Sequence, residues 1–213
     1  MAAAPKLPPP RLHRIREVGG AYTVLPAGST VWRIHTAAGV HALAWNELRR
    51  YGPIRRFRFD PQPPGPPALH PSEGVMYLAP DIATCVAEVF QDTRSIRPAA
   101  AQSLSGFETA TELELLDLTG DWPLKVGAAH AINATGAMQT TRAWAVAFRT
   151  CFPNADGLWY LSSLTGRPAV ALFSPAADRG VFPVAAAFST QLDNPALRPW
   201  LLKAAVDIGY RVL

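Results

Sequence analysis

The chain predicts an α/β domain of the α+β kind, with short strands and helices of modest length mixed along one sequence. Three observations support this. Runs of four to seven apolar-rich residues alternate with segments of helical period. Apolar residues make up 49% and charged residues 17%, a globular balance. The 213 residues are enough to bury a core, and the sequence shows no internal repeat, which favours one domain over two small ones.

Residues 1–20 read as a flexible N-terminal tail, with consecutive prolines, a basic run (Arg11, Arg14, Arg16) and Gly19-Gly20 before a domain over 21–213. Thr30 to His35 is β-rich, with Val31 and Arg33 on one side and Trp32 and Ile34 on the other. An arginine in such a strand ordinarily marks an edge or a solvent face; its functional reading is an anion held at the sheet. Ala42 to Tyr51 is expected to be a short helix ended by Gly52-Pro53. Arg55 to Phe59 alternates like a strand, Phe57 and Phe59 inward and Arg56 and Arg58 outward. With Arg49 and Arg50 this is the densest positive patch, either a solvated face or a phosphate-recognition surface, since guanidinium forks match phosphate oxygens. Pro61 to Pro67, with Pro71, reads as a stiff surface loop.

Val75 to Ala79 is a strand carrying Tyr77, broken by Pro80 and followed by Asp81 as a helix N-cap. Ile82, Cys85, Val86, Val89 and Phe90 then recur at the spacing of one buried helical face, from which Glu88 departs. A buried Tyr with a satisfied hydroxyl and a solvated Glu is the ordinary reading. The functional one puts a ring and a carboxylate together at one edge of the core. Pro98 to Gly106 reads as a small-residue linker, Glu112 to Leu118 as a half-buried strand and Thr140 to Phe148 as a helix. Leu158 to Ser163 and Ala169 to Phe173 are further strands, and Pro199 to Ile208 is a helix closed by Gly209.

The net charge of +4 and pI near 9.4 suit an anionic small molecule or an acidic partner, and fall short of a nucleic-acid footprint. Cys85 and Cys151 cannot make a disulfide framework. Met1 to Pro10, Ala/Pro-rich, does not read as a signal peptide, and no apolar run approaches the length of a membrane span, so a cytoplasmic protein is expected. His13, His35, His41, His70 and His130 are scattered without partners at ligand spacing, so no metal is expected. G-x-G-x-x-G, P-loop and G-x-S-x-G motifs are absent. What remains is a thin polar set: Arg33, Arg58, Tyr77, Glu88 and a serine at 162 or 163.

That ordered set resembles the RES-domain family, which is named for Arg, Glu and Ser. The matching pieces are Val31-Trp-Arg33, Arg56-Phe-Arg-Phe-Asp60, Tyr77-Leu-Ala running into Ala87-Glu88, Leu115-Leu-Asp-Leu118, and Gly157-Leu-Trp-Tyr-Leu-Ser162 leading to Ala171-Leu-Phe173. They cover roughly residues 30–175. The proline loop lengthens the Arg58–Tyr77 connection relative to the family, and the doubled Ser162-Ser163 leaves the serine open, with Ser162 preferred.

The resemblance implies a small, mostly antiparallel split sheet with flanking helices, related to ADP-ribosyltransferases. It implies the toxin of a toxin–antitoxin pair, cleaving NAD⁺ at the nicotinamide–ribose bond as a glycohydrolase or phosphorylase. The partner it implies is an antitoxin of Xre-like DNA-binding type, with homodimerisation possible and no direct nucleic-acid contact. Residue by residue, it gives Glu88 the ribose and the developing positive charge, Arg33 and Arg58 the pyrophosphate, Tyr77 the cationic nicotinamide and Ser162 a hydrogen bond to ribose or carboxamide. The alternatives are a protein ADP-ribosyltransferase on the same constellation and, from another class, a basic nucleic-acid-binding module in which Glu88 is inert.

Overall fold

The structure is a computed structural model and describes residues 7–134 and 137–213. In chain order it holds α1 (Leu12–Val18), β1 (Tyr22–Leu25), β2 (Thr30–Thr36), β3 (Tyr51–Gly52), β4 (Ala68–Leu69), β5 (Val75–Leu78), α2 (Ile82–Val89), β6 (Ser95–Ile96), β7 (Gln102–Glu108) and β8 (Leu113–Asp117). There follow α3 (Trp122–Lys125), α4 (Met138–Cys151), β9 (Gly157–Leu161), β10 (Pro168–Phe173), α5 (Ser174–Asp178), β11 (Phe188–Gln191), α6 (Arg198–Ile208) and β12 (Arg211–Val212).

Two sheets organise the molecule. The larger has strand order β1-β8-β9-β10-β5, and the smaller β11-β7-β2. Within them β8 and β9 run parallel and every other pairing is antiparallel. The sheets meet where Trp32 of β2 and Ala79, just past β5, exchange backbone hydrogen bonds of 2.8 and 2.9 Å. Beyond that bridge β2 and β5 do not continue pairing, so the sheet system splits and a cleft opens between them. The mostly antiparallel split sheet with flanking helices is thus observed.

Burial follows the alternation expected of half-buried strands: in β2, Val31, Arg33 and His35 point inward. α4 presents Trp144, Ala145 and Phe148 to one core cluster, which β9 and β10 complete with Leu158, Ala169 and Ala171. α2 and α6 pack together over a separate cluster containing Ala83, Val86, Leu201 and Ala205. Asp81 caps α2 as its position predicts, accepting from Thr84 N at 2.8 Å.

Four local expectations are corrected. Residues 7–20 of the expected tail are structured: Ile15 of α1 is fully buried, and the indoles of Trp144 and Trp122 donate to the carbonyls of Pro8 and Gly19. Residues 1–6 lie outside the described residues. In place of a helix over 42–51, residues 42–50 form a turn and an Arg49 bridge to Val75, and Tyr51 begins β3. Residues 55–59 form a turn, because Arg142 of α4 donates to the carbonyls of Arg55 and Phe57 that a strand would have paired. Finally, the small-residue "linker" contains most of β7, which pairs with β2 along its whole length; cross-strand pairing overrides its weak β-propensity. Gly106 serves that pairing, since a Cβ there would stand 2.5 Å from the Trp32 ring.

Candidate active site

The split leaves a cleft of about 450 Å³ whose walls include Arg33, Tyr77, Glu88, Arg58, Tyr160 and Phe57. Its floor is dictated by strand register. Tyr77 on β5 stands opposite Ala171 on β10, and Ala169 on β10 opposite Tyr160 on β9, so all four share one sheet face. Of the two alanines between the tyrosines, Ala169 lines the cleft and Ala171 belongs to the core beneath it. Ser162 lies two residues past Tyr160, at the end of β9.

α2 overhangs this floor. Thr84, Cys85 and Glu88 line the cleft, while Ala83 and Val86 pack toward α6. Burial pushes the Glu88 carboxyl above its ordinary range; a hydrogen bond from the Ser162 hydroxyl and the Arg58 charge pull it back. Ser162 itself is 2% exposed and also accepts from the backbone N–H groups of Leu164 and Thr165 at 3.2 and 3.3 Å. Ser162 thus acts on the Glu88 pKa without itself lining the cleft. Ser163 is exposed and lies on the cleft wall.

Arg58 is partly buried, with Glu88 its strongest charge neighbour and Tyr160 and Tyr77 beside it. One of its nitrogens donates to Ala134 O at 3.1 Å. Arg33 sits on the edge strand of the smaller sheet, but on its buried face and not in solvent. It is 5% exposed, and its Nη1 donates to the carbonyls of Ala44, Trp45 and Glu47 at 3.4, 3.0 and 3.0 Å. Burial lowers its pKa to about 10, with Glu47 acting to raise it. Arg33 thus ties the 37–47 loop to β2 while still contributing to the cleft wall.

The Tyr77 hydroxyl donates to Asp60 Oδ1 at 2.9 Å and accepts from Phe59 N at 3.1 Å. Its ring is stacked with Phe57, centroids 5.1 Å apart and planes 17° apart. Phe57 was expected in the core; it stands in the cleft, with the Arg49 and Arg56 guanidiniums 4.8 and 5.1 Å from its centroid. The Tyr77 face that was expected to receive a cationic ring is thus shared with Phe57.

The structure therefore brings Arg33, Arg58, Tyr77 and Glu88 to one cleft, with Ser162 immediately behind it. Sequence reasoning missed Tyr160, Phe57 and His35. Tyr160 is 6% exposed, and burial raises its pKa well above normal with the Glu88 charge adding to it. Period-2 spacing from Ser162 carried that signal. His35, two residues past Arg33, has Nδ1 at 3.1 Å from Leu43 O and Nε2 at 3.0 Å from Ser105 Oγ. Burial first and the Arg33 charge second push its pKa down to about 4. Among the described residues no group of His, Cys, Asp and Glu is arranged to hold a metal ion, and no helix is long and apolar enough to cross a membrane.

Fold and cleft together define a split-sheet α/β protein with a basic, aromatic-walled cavity around one half-buried carboxylate. The chain belongs to the RES domain family, whose model matches residues 30–193. That span extends the similarity beyond the motifs visible by eye to β11. Among solved structures, one with a similar fold is described as "Crystal structure of the M.tuberculosis MbcT-MbcA toxin-antitoxin complex.". It superposes with a TM-score of 0.55 at 20% identity, covering 89% of this chain and 95% of that one. No curated protein matches the sequence.

Proposed function

We propose that this protein is the toxin of a toxin–antitoxin pair and that it cleaves the nicotinamide–ribose bond of NAD⁺. The observation that carries the reading is the Glu88–Ser162–Arg58 arrangement: a carboxylate inside a basic, aromatic cleft, with partners that oppose its neutralisation. Family membership and the fold shared with a chain from a toxin–antitoxin complex support it.

The chemistry follows from the residues. When the C–N bond breaks, its electron pair leaves with nicotinamide, which becomes neutral, and the positive charge passes to the ribosyl ring. The transition state is oxocarbenium-like. An ionised Glu88 stabilises that charge and holds a ribose hydroxyl, its orientation set by Ser162. Arg58, with Arg49 and Arg56 on the same rim, offers donors to the pyrophosphate. Tyr77, Phe57 and Tyr160 give flat apolar surface for a ring. Water or phosphate then captures the ribosyl cation; a protein acceptor would make the same site an ADP-ribosyltransferase. The nucleic-acid-module reading loses ground because Arg49, Arg56 and Arg58 line a cleft and are not arrayed along one strand face.

The partner proposed is a cognate antitoxin that covers the cleft. Expression in bacteria tests the reading: wild type is expected to arrest growth as cellular NAD⁺ falls, and Glu88→Ala to relieve both. Arrest without NAD⁺ loss would overturn it.

A further inference from the structure

Asp60 is a carboxylate beside the cleft with both oxygens engaged. It is fully buried, and its Oδ1 accepts from Arg49 Nη2 at 2.5 Å and from the Tyr77 hydroxyl at 2.9 Å. Its Oδ2 accepts from Ile54 N at 2.7 Å, at the start of the turn that carries Phe57. The contacts close into a ring: Asp60 holds Arg49, Arg49 lies over Phe57, Phe57 stacks on Tyr77, and Tyr77 returns to Asp60. Arg49, Phe57 and Tyr77 all line the cleft, whereas Asp60 does not.

Burying a carboxylate is costly unless every oxygen is matched, and an apolar side chain would fill the same space at no such cost. What the charge supplies is direction. It fixes a guanidinium and a phenol at once, and with Ile54 N it fixes the turn between them. Arg49 commits Nη1 to Tyr51 O and Nη2 to Asp60, and the rest of its fork of donors remains for a ligand.

We propose that Asp60 is a positioning residue for the substrate-binding wall, holding Arg49, Phe57 and Tyr77 in place for the phosphates and ring of a dinucleotide. This rests on the NAD⁺ reading given above. Asp60→Asn preserves shape but not function. Its Oδ1 can still accept from Tyr77, but the amide nitrogen then faces Ile54 N, donor against donor, and Arg49 loses its counter-charge.

The control is Asp156, which is equally buried, accepts from Glu114 N at 2.7 Å and pairs with Arg179, and does not line the cleft. Melting temperature, kcat and KM for NAD⁺ would be measured for wild type, Asp60→Asn and Asp156→Asn, with NAD⁺ titrated into Glu88→Gln and Glu88→Gln/Asp60→Asn. Asp60→Asn is expected to melt lower, because Arg49 loses its buried counter-charge. Asp60→Asn alone should raise KM and the titrated Kd by about tenfold or more with kcat within about threefold, the pattern of lost binding and intact chemistry. If Asp60→Asn, like Asp156→Asn, changes only the melting temperature and leaves KM and Kd unchanged, Asp60 is structural and the proposal falls. If wild type neither binds nor cleaves NAD⁺, the functional reading falls and takes this role with it. Wild-type activity with an inert Asp60→Asn change overturns the role of Asp60 alone.

Discussion

Glu88 is set by two opposing effects, and each is separately testable. Burial raises its carboxyl pKa, while Ser162 and Arg58 lower it. Ser162→Ala removes the hydrogen bond, so the Glu88 pKa climbs further. The acid limb of the kcat/KM–pH profile is expected to move to higher pH, with about a tenfold loss of activity near neutrality. Ser163→Ala should leave that limb in place, because Ser163 is not the hydroxyl bonded to Glu88. The same burial predicts a stability effect. A carboxyl whose folded pKa exceeds its unfolded one contributes fully below the unfolded value, here 4.5, and loses that contribution as pH rises through the folded value. Glu88→Gln is therefore expected to melt a few degrees above wild type at neutral pH while losing NAD⁺ cleavage. Thermal scans from pH 4 to 8 check this, and the difference should vanish at the acid end.

Among the elements, β2 and β9 each hold a testable constraint next to the site. His35 on β2 is held neutral, its pKa lowered to about 4 from 6.5. The stability it contributes is complete above pH 6.5 and is lost as pH falls through its folded value. His35→Gln should flatten the acid-side slope of stability between pH 6.5 and 4, measured by denaturant titration at each pH. This trend opposes that of Glu88, so the two are read from their variants and not from wild type alone. On β9, Gly157 allows close approach to β10, for a Cβ there would stand 2.2 Å from Ala171 O. Gly157→Ala is expected to cost about 3 kcal/mol, readable in the denaturation midpoint, because backbone must move to admit it.

These elements also show what was legible in the sequence. β2, β5, α2 and β9 follow from period-2 and helical spacing, and Asp81 from cap chemistry. The turn over 55–59 did not, since its alternation is strand-like and the Arg142 contacts that bend it come from a helix some 85 residues away. β7 was hidden by serine and glycine in a strand whose identity depends on its partner β2. The fate of Arg33 was hidden likewise: its three carbonyl partners belong to a loop whose path no local pattern encodes.

For the whole molecule, the split between two sheets does the positioning that no single motif could. One bridge, Trp32 to Ala79, joins the sheets, and the cleft begins where that pairing ends. The catalytic candidates come from β2, β5, α2, the 55–59 turn and the end of β9, so the cleft exists only in the assembled fold. Motif order gave the family resemblance and hence the expectation of a split sheet with flanking helices. The Asp60 contacts and the aromatic wall are not legible in the sequence, because residues 49, 57, 60 and 77 converge across a loop of prolines. Nicotinamide release from NAD⁺ by the purified protein, followed by chromatography beside folded Glu88→Gln, tests the central claim most directly. Release by wild type and its loss in the variant is the predicted result. A folded wild type that releases no nicotinamide, with or without phosphate and candidate protein acceptors, would contradict it.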